Sequence, residues 1–198
     1  MAGGMPKLIA TLGLTCALLL GAGCGGQSEE EKRQEARELR EEREYRAQLS
    51  EYRQEVDERR EEQAAYERCV DTLGELQDAL KAVDSRLGVG LNYDDYGDEI
   101  GNVVVVYDNA DFSEAGPECL ENVGLKLERA LRQYQRAAQV WDECFDDIDC
   151  DLDGIEDDLQ VYWNRASTAM LGAEIGMEQM EPVSNPQKPR KPESLTDE

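Results

Sequence analysis

The sequence predicts an all-α protein: a disulfide-braced, up-down-up-down helical bundle of four helices, the first extended as a charged stalk. Three observations carry that expectation. Apolar residues recur at three- and four-residue steps through several long segments, the signature of helices with one face in a core. No segment offers the sustained period-two alternation that a sheet would need. Four cysteines between positions 69 and 150 are spaced so that equal helix lengths bring them together in pairs.

Length and charge narrow the function classes. With 198 residues the chain can bury a core of ordinary size. Its 45 acids against 21 bases give a formal charge of -24, which repels phosphate backbones and anionic lipid surfaces, so a nucleic-acid partner is not expected. Histidine is absent throughout, which removes the usual general base and the commonest zinc and haem ligand. No nucleophile motif or phosphate-binding loop stands out either, and the chain reads as non-catalytic, with no catalytic residues and no required cofactor.

Residues 1–23 carry a short basic start ending at Lys7, an apolar run from Leu8 to Leu20, and the small residues Gly21, Ala22 and Gly23. That is the grammar of a signal peptide, and the run is shorter than the about 20 apolar residues that cross a bilayer. Cys24 follows immediately. Ala22-Gly23-Cys24 resembles the lipobox junction of bacterial lipoprotein precursors, although Gly21 stands where Leu is preferred. The resemblance covers this segment alone. It implies that Cys24 is lipidated and becomes the new N-terminus, with the protein exported and anchored to the outer face of the cell membrane. The alternative is plain signal-peptide cleavage after Ala22, which leaves Cys24 as a free thiol.

Residues 24–68 are expected to form the lipidated N-terminus and the stalk. From Ser28 to Arg68 the chain is almost all Glu, Arg, Gln and Ala without Pro or Gly, and Glu29/Arg33, Arg37/Glu41, Arg40/Glu44, Glu42/Arg46 and Glu55/Arg59 lie four apart. A sparse seam of Tyr45, Leu49, Tyr52, Val56 and Tyr66 is interrupted by Arg59 and Gln63, which favours a solvated spacer over a dimeric coiled coil and leaves the oligomeric state open.

Residues 69–181 are expected to form the bundle. Val70, Leu73, Leu76, Leu80, Val83 and Leu87 mark one apolar face, and Gly88 supplies a stop. Residues 92–110 read as a second helix, with Asn92 as N-cap, Asp94 and Asp95 in the first turn, and Tyr96, Ile100, Val103, Val104 and Tyr107 on one face. The valine run makes a short strand at 103–107 the alternative. Pro117 opens a third helix whose face is Leu120, Val123, Leu127, Leu131, Tyr134, Ala138, Trp141 and Phe145. Asp153 and Glu156 are expected to cap a fourth, with Ile155, Leu159, Tyr162, Trp163, Ala166, Met170, Ala173 and Met177 inward. Residues 182–198, with Pro182, Pro186, Pro189 and Pro192 among polar residues, are expected to be a disordered tail.

Helix lengths choose among the three pairings that four cysteines allow. Equal rise and descent bring Cys119 back to the level of Cys69, and Cys144 and Cys150 close a small loop at the turn into the fourth helix. Both disulfides fit an exported protein.

The acidic loop 146–158 is the one candidate metal site. Asp149, Asp151, Asp153 and Gly154 resemble the start of an EF-hand-type calcium loop, which implies convergent carboxylates around Ca2+. Gln160 stands where such loops close with a bidentate Glu, so Glu156 or Asp157 would have to serve in a shorter geometry. Solvated acids that favour the positive end of the next helix explain the same residues. The Tyr93, Tyr96, Tyr107, Trp141 and Trp163 rings read as core packing, and the acids Asp94, Asp95, Asp98 and Glu99 as a solvated helix face. The functional expectation is an envelope-associated interaction module with a protein partner, and the alternative is Ca2+ binding or sensing through the loop.

Overall fold

The computed structural model describes residues 28–195, and Cys24 with the signal-like segment lies outside them. Four helices account for most of the described chain: α1 (Glu29–Leu87), α2 (Tyr93–Asn109), α3 and α4 (Leu152–Met180). α3 is composite, running from Pro117–Cys119 through a π-helical stretch Leu120–Gly124 into Leu125–Asp146. A single 3-10 turn, Glu193–Leu195, follows. Among the described residues there is no strand.

The chain divides into two compact units, of which the larger is Tyr45–Lys191. In the smaller, Ser28 and Glu31 form a reciprocal capping box: the Ser28 amide donates to Glu31 Oε2 at 2.8 Å and the Glu31 amide to Ser28 Oγ at 3.2 Å. That arrangement satisfies helix-end amides that have no partner within the helix. Lys32 pairs with Glu29 at 3.3 Å, and the Ser194 hydroxyl donates to Glu41.

In the larger unit the core is one cluster drawn from all four helices. α1 contributes Cys69, Leu73, Leu76, Gln77, Leu80 and Val83. Val70, expected on this face, is instead 37% exposed, because the face is centred about 100° round the helix, on Cys69. The helix stops at Leu87, and Gly90 takes φ 99°, a turn conformation open to Gly at no steric cost.

α2 settles the choice between helix and strand at 103–107. Asn92 Oδ1 accepts from the Asp95 amide at 2.9 Å, Asp94 and Asp95 fill the first turn, and Tyr96, Ile100 and Val103 are buried. Tertiary burial of this face outweighs the weak helix propensity of the valine run. Pro117 starts α3 after Gly116 at φ 77°, a residue with no side chain to oppose the turn.

The π-helical stretch has a packing cause on view. Gly124 is buried, with Leu73 Cδ1 and Leu120 Cδ2 lying 3.6 and 3.2 Å from where a Cβ would be. The Asn122 carbonyl, inside the stretch, lies directly against Gly176 of α4. Widening the helix by one residue re-aims that carbonyl at the only kind of residue that leaves room for it.

Two features expected from sequence come out differently. The seam of the stalk is half-buried at Tyr45, Leu49, Tyr52, Val56 and Arg59, and the chain's own segment after Glu181 lies beside it. Tyr52, Val56, Arg59, Arg60 and Gln63 share one hollow with Pro182, Val183, Ser184 and Asn185. The larger unit therefore takes in helix read from sequence as free stalk and chain read as free tail. Pro182, Pro186 and Pro189 are half-buried while their polar neighbours are exposed, as the polyproline habit allows: it needs no internal hydrogen bonds and can present one face to a support.

Candidate functional site

The Cys144–Cys150 corner and the aromatic rings beside it form the most distinctive surface in the larger unit. α3 ends at Asp146 and α4 begins at Leu152, so the covalent loop replaces helix for only a few residues. Its backbone is organised by its own acids. The Asp149 amide donates to Asp147 Oδ1 at 3.0 Å and the Asp153 amide to Asp151 Oδ1 at 3.2 Å, while Cys150 N–H donates to the Asp147 carbonyl at 3.0 Å. These are Asx-type turns, in which a short carboxylate side chain takes an amide two residues on.

That use of the acids corrects the sequence reading in one respect. The N-cap of α4 is Asp151, not Asp153, and Asp153 sits in the first turn, where the helix dipole favours its charge. The acids of the proposed calcium loop, Asp149, Asp151, Asp153 and Glu156, are not gathered. Among the described residues no three His, Cys, Asp or Glu side chains converge on a point that could hold a metal ion. The physical reason is local: Asp151 is committed to the helix cap, and Cys150 is held toward Cys144 by the disulfide, with Cα atoms 5.2 Å apart.

Under the loop lies a ring cluster. Tyr93 packs on Phe145 at 4.6 Å and on Trp141 at 5.9 Å between centroids, Tyr96 meets Trp141 at 5.6 Å and Trp163 at 6.0 Å, and the two tryptophans sit edge to face at 5.8 Å. Such tilted and edge-on pairs add attraction beyond the area they bury. The Tyr93 hydroxyl donates to Asp142, and that bond raises the phenol above its ordinary pKa by favouring the protonated form. Phe145, expected on the core face of α3, is 55% exposed, and Ile148 at the loop tip is 98% exposed. Carboxylates flank both: Asp146, Asp147 and Asp149.

Deeper in, a polar chain crosses the core. Trp163 Nε1–H donates to the Tyr96 hydroxyl at 3.2 Å, Tyr96 O–H to the Tyr134 carbonyl at 2.8 Å, Tyr134 O–H to Asp84 Oδ1 at 2.9 Å, and the Ser167 hydroxyl to Asp84 as well. Burial pushes both phenols up, and for Tyr134 the Asp84 carboxylate adds to the shift because it bonds the neutral phenol. All four helices have a residue in this chain. It fits packing rather than catalysis: each hydroxyl is used, and Tyr96 and Tyr134 are fully buried. Asp84 and Ser167 were not singled out in the sequence. The signal for Asp84 was its place between Leu80 and Leu87 on the apolar steps of α1, where an acid needs a partner.

The other sequence candidates fall as follows. Cys69 and Cys119 are joined, with Cα atoms 5.6 Å apart and both side chains buried. Asp94, Asp95 and Asp98 are exposed, and Glu99 pairs with Arg86. No described helix is long and apolar enough to cross a membrane. No family model, curated protein or solved structure matches the chain.

Proposed function

We propose that the protein is a lipid-anchored, extracytoplasmic, non-catalytic interaction module, held at the membrane through Cys24 and presenting the Cys144–Cys150 loop to a protein partner of the cell envelope. In this reading the four helices run up-down-up-down as a bundle, with Cys69 and Cys119 at one level and the acidic loop at the other end. The observation that carries it is Ile148, an isoleucine 98% exposed at the tip of a covalently closed loop. Closing the loop removes much of the ordering entropy that a flexible loop would lose on binding, so the apolar side chain is ready to be buried by a partner. The flanking Asp146, Asp147 and Asp149 select for a recess that is apolar at its centre and basic at its rim.

Two measurements test the two halves of the proposal. A photo-crosslinker placed at position 148 in intact cells is expected to give a discrete adduct. The same group at Val89, itself 85% exposed, is expected to give none. Equal labelling from both positions, or none from either, would remove the loop as the recognition surface. For the anchor, Cys24→Ala is expected to leave the membrane fraction; retention at the wild-type level would end the lipidation reading.

A further inference from the structure

The seam of α1 and the proline-rich segment after Glu181 match each other in spacing, length and charge. Tyr45, Leu49, Tyr52 and Val56 recur at steps of four, three and four and are half-buried; Pro182, Pro186 and Pro189 recur at steps of four and three and are half-buried too. All of them lie in the larger unit. The two runs meet where Tyr52, Val56 and Arg59 share a hollow with Pro182, Val183 and Asn185. Their lengths agree, because the helix from Tyr45 to Gln63 rises about 27 Å and a polyproline-type run from Pro182 to Lys191 rises about 28 Å. Such a run repeats every three residues, so prolines at these steps return to one side of it. Residues 182–191 carry Lys188, Arg190 and Lys191 and no acid, in a chain with a formal charge of -24, while residues 45–63 hold six acids against four bases.

The match is good but the seating is loose. Hollows of roughly 570 and 300 Å³ lie along the junction, the second between Arg59, Glu62 and Ala65 of α1 and Met180, Pro182 and Val183. Among the described residues, none from Pro182 to Lys191 makes a hydrogen bond or ion pair with α1. Open space beside a side chain forfeits the contacts that would fill it. No residue of the core cluster lies beyond Met180, so the segment can leave α1 without opening the core.

We infer that the Tyr45–Gln63 face of α1 is a recognition groove for a proline-rich, basic, acid-free segment of another protein, and that residues 182–191 occupy it as an intramolecular competitor. The tyrosines and Val56 receive prolines from a chain that is already extended and loses little freedom on docking, and the acids beside them favour its bases. A tethered segment competes at an effective concentration on the order of millimolar. An outside ligand therefore enters when its own side chains fill the hollows better, or when the tail is drawn off. This ligand differs from the apolar, basic-rimmed recess expected to receive Ile148, so either surface can fail without the other.

The test uses the full chain, with a fluorescent peptide of the sequence Pro182–Lys191 as the probe and anisotropy as the readout. Pro182→Ser, Pro186→Ser and Pro189→Ser together are expected to release the tail, and Lys188→Glu, Arg190→Glu and Lys191→Glu together to release it by a separate route. Either released chain should bind the peptide saturably, with half-saturation below about 1 mM, and the wild type at least about tenfold more weakly because its groove is filled. Adding Tyr52→Ala with Val56→Ala to a released chain should abolish binding, and a peptide with its three prolines replaced by serine should not bind. Helix content should stay the same throughout, since every changed residue lies outside the core cluster. No saturable binding by either released chain below about 1 mM, equal binding by the wild type, binding that ignores Tyr52 and Val56, or self-association of the released chains with no peptide bound would each overturn the proposal.

Discussion

The two disulfides hold regions built on opposite plans. Around Cys69–Cys119 the backbone itself is close-packed: both cysteines are buried, the Asn122 carbonyl of the π-helical stretch rests on Gly176, and Gly124 leaves room for Leu73. Around Cys144–Cys150 the covalent link closes a loop of acids whose apolar tip is in water, supported from below by tilted rings. The first bridge joins residues 50 apart and so constrains the unfolded chain; the second spans 6 and mainly shapes a surface. The contrast teaches that one bridge braces a packed core and the other shapes an exposed loop, and substitutions at the two places should differ in kind as well as in size.

The largest effect expected is at the long bridge. Cys69→Ala with Cys119→Ala should cost about 4 kcal/mol in a chain-entropy treatment, against about 2 for Cys144→Ala with Cys150→Ala. Urea unfolding without reductant measures both, and equal losses would break the comparison. Next comes Gly176→Ala. An alanine in a helix interior normally gains up to about 1 kcal/mol over glycine. Here the added Cβ would lie 2.9 Å from the Asn122 carbonyl carbon and closer to its oxygen, and backbone on two packed helices cannot swing aside. Overpacking of about 1–3 kcal/mol should win and leave a net loss. Gly101→Ala in α2, with open space around the new Cβ, should go the other way and stabilise the protein.

The buried polar chain from Trp163 to Asp84 predicts a pH dependence. Tyr96 and Tyr134 both have phenols raised above the ordinary value of 10.0, mainly by burial. Below about pH 10 the folded and unfolded chains both keep these protons, and the stability is fully present. As pH rises past that value the unfolded chain releases protons that the folded chain still holds, so stability falls. Tyr134→Phe should flatten this alkaline slope at a cost of about 1–2 kcal/mol at neutral pH, because Asp84 keeps only Ser167 as donor. An unchanged slope in both Tyr96→Phe and Tyr134→Phe would show that the two phenols ionise freely in the folded state.

Much of the scaffold was legible because period and punctuation agreed. Asn92, Pro117 and the apolar steps of α3 and α4 each named an element that formed, and helix lengths chose both disulfides. Val103, Val104 and Val105 pulled locally toward a strand and were overruled by burial of Tyr96 and Ile100, which propensity cannot see. The π-helical stretch was invisible because its cause, Gly176, lies far along the chain from Asn122. The half-buried stalk seam was missed for the same reason: Tyr52 and Val56 line one hollow with Pro182 and Val183, far along the chain, and a seam read alone offers only water or a second copy. The candidate site was legible as a corner, with capping acids as one reading of its carboxylates and a calcium loop as the other. Asp-x-Asp-x-Asp-Gly spacing is shared by cation loops and by Asx-turn caps, and the structure spends Asp147 and Asp151 on backbone amides.

The smallest expected effect on stability is the one that bears most on function. Ile148 is 98% exposed, so Ile148→Ser removes almost no buried area and should shift the unfolding free energy by no more than about 0.5 kcal/mol. A surface isoleucine that touched nothing in any state could be exchanged without consequence. If the loop is a recognition surface, the same substitution should abolish the adduct expected from a photo-crosslinker placed at a neighbouring loop position such as Asp147. Calcium at about 10 mM should change neither the melting temperature nor that adduct, since the acids beside Ile148 do not converge on an ion. A calcium-dependent rise in melting temperature would mean that the loop rearranges to gather Asp149, Asp151, Asp153 and Glu156, and would turn the corner from a braced knob into a cation-gated one. Stability and recognition would then separate at this residue: the measurement that moves with Ile148 identifies which of the two the short disulfide serves.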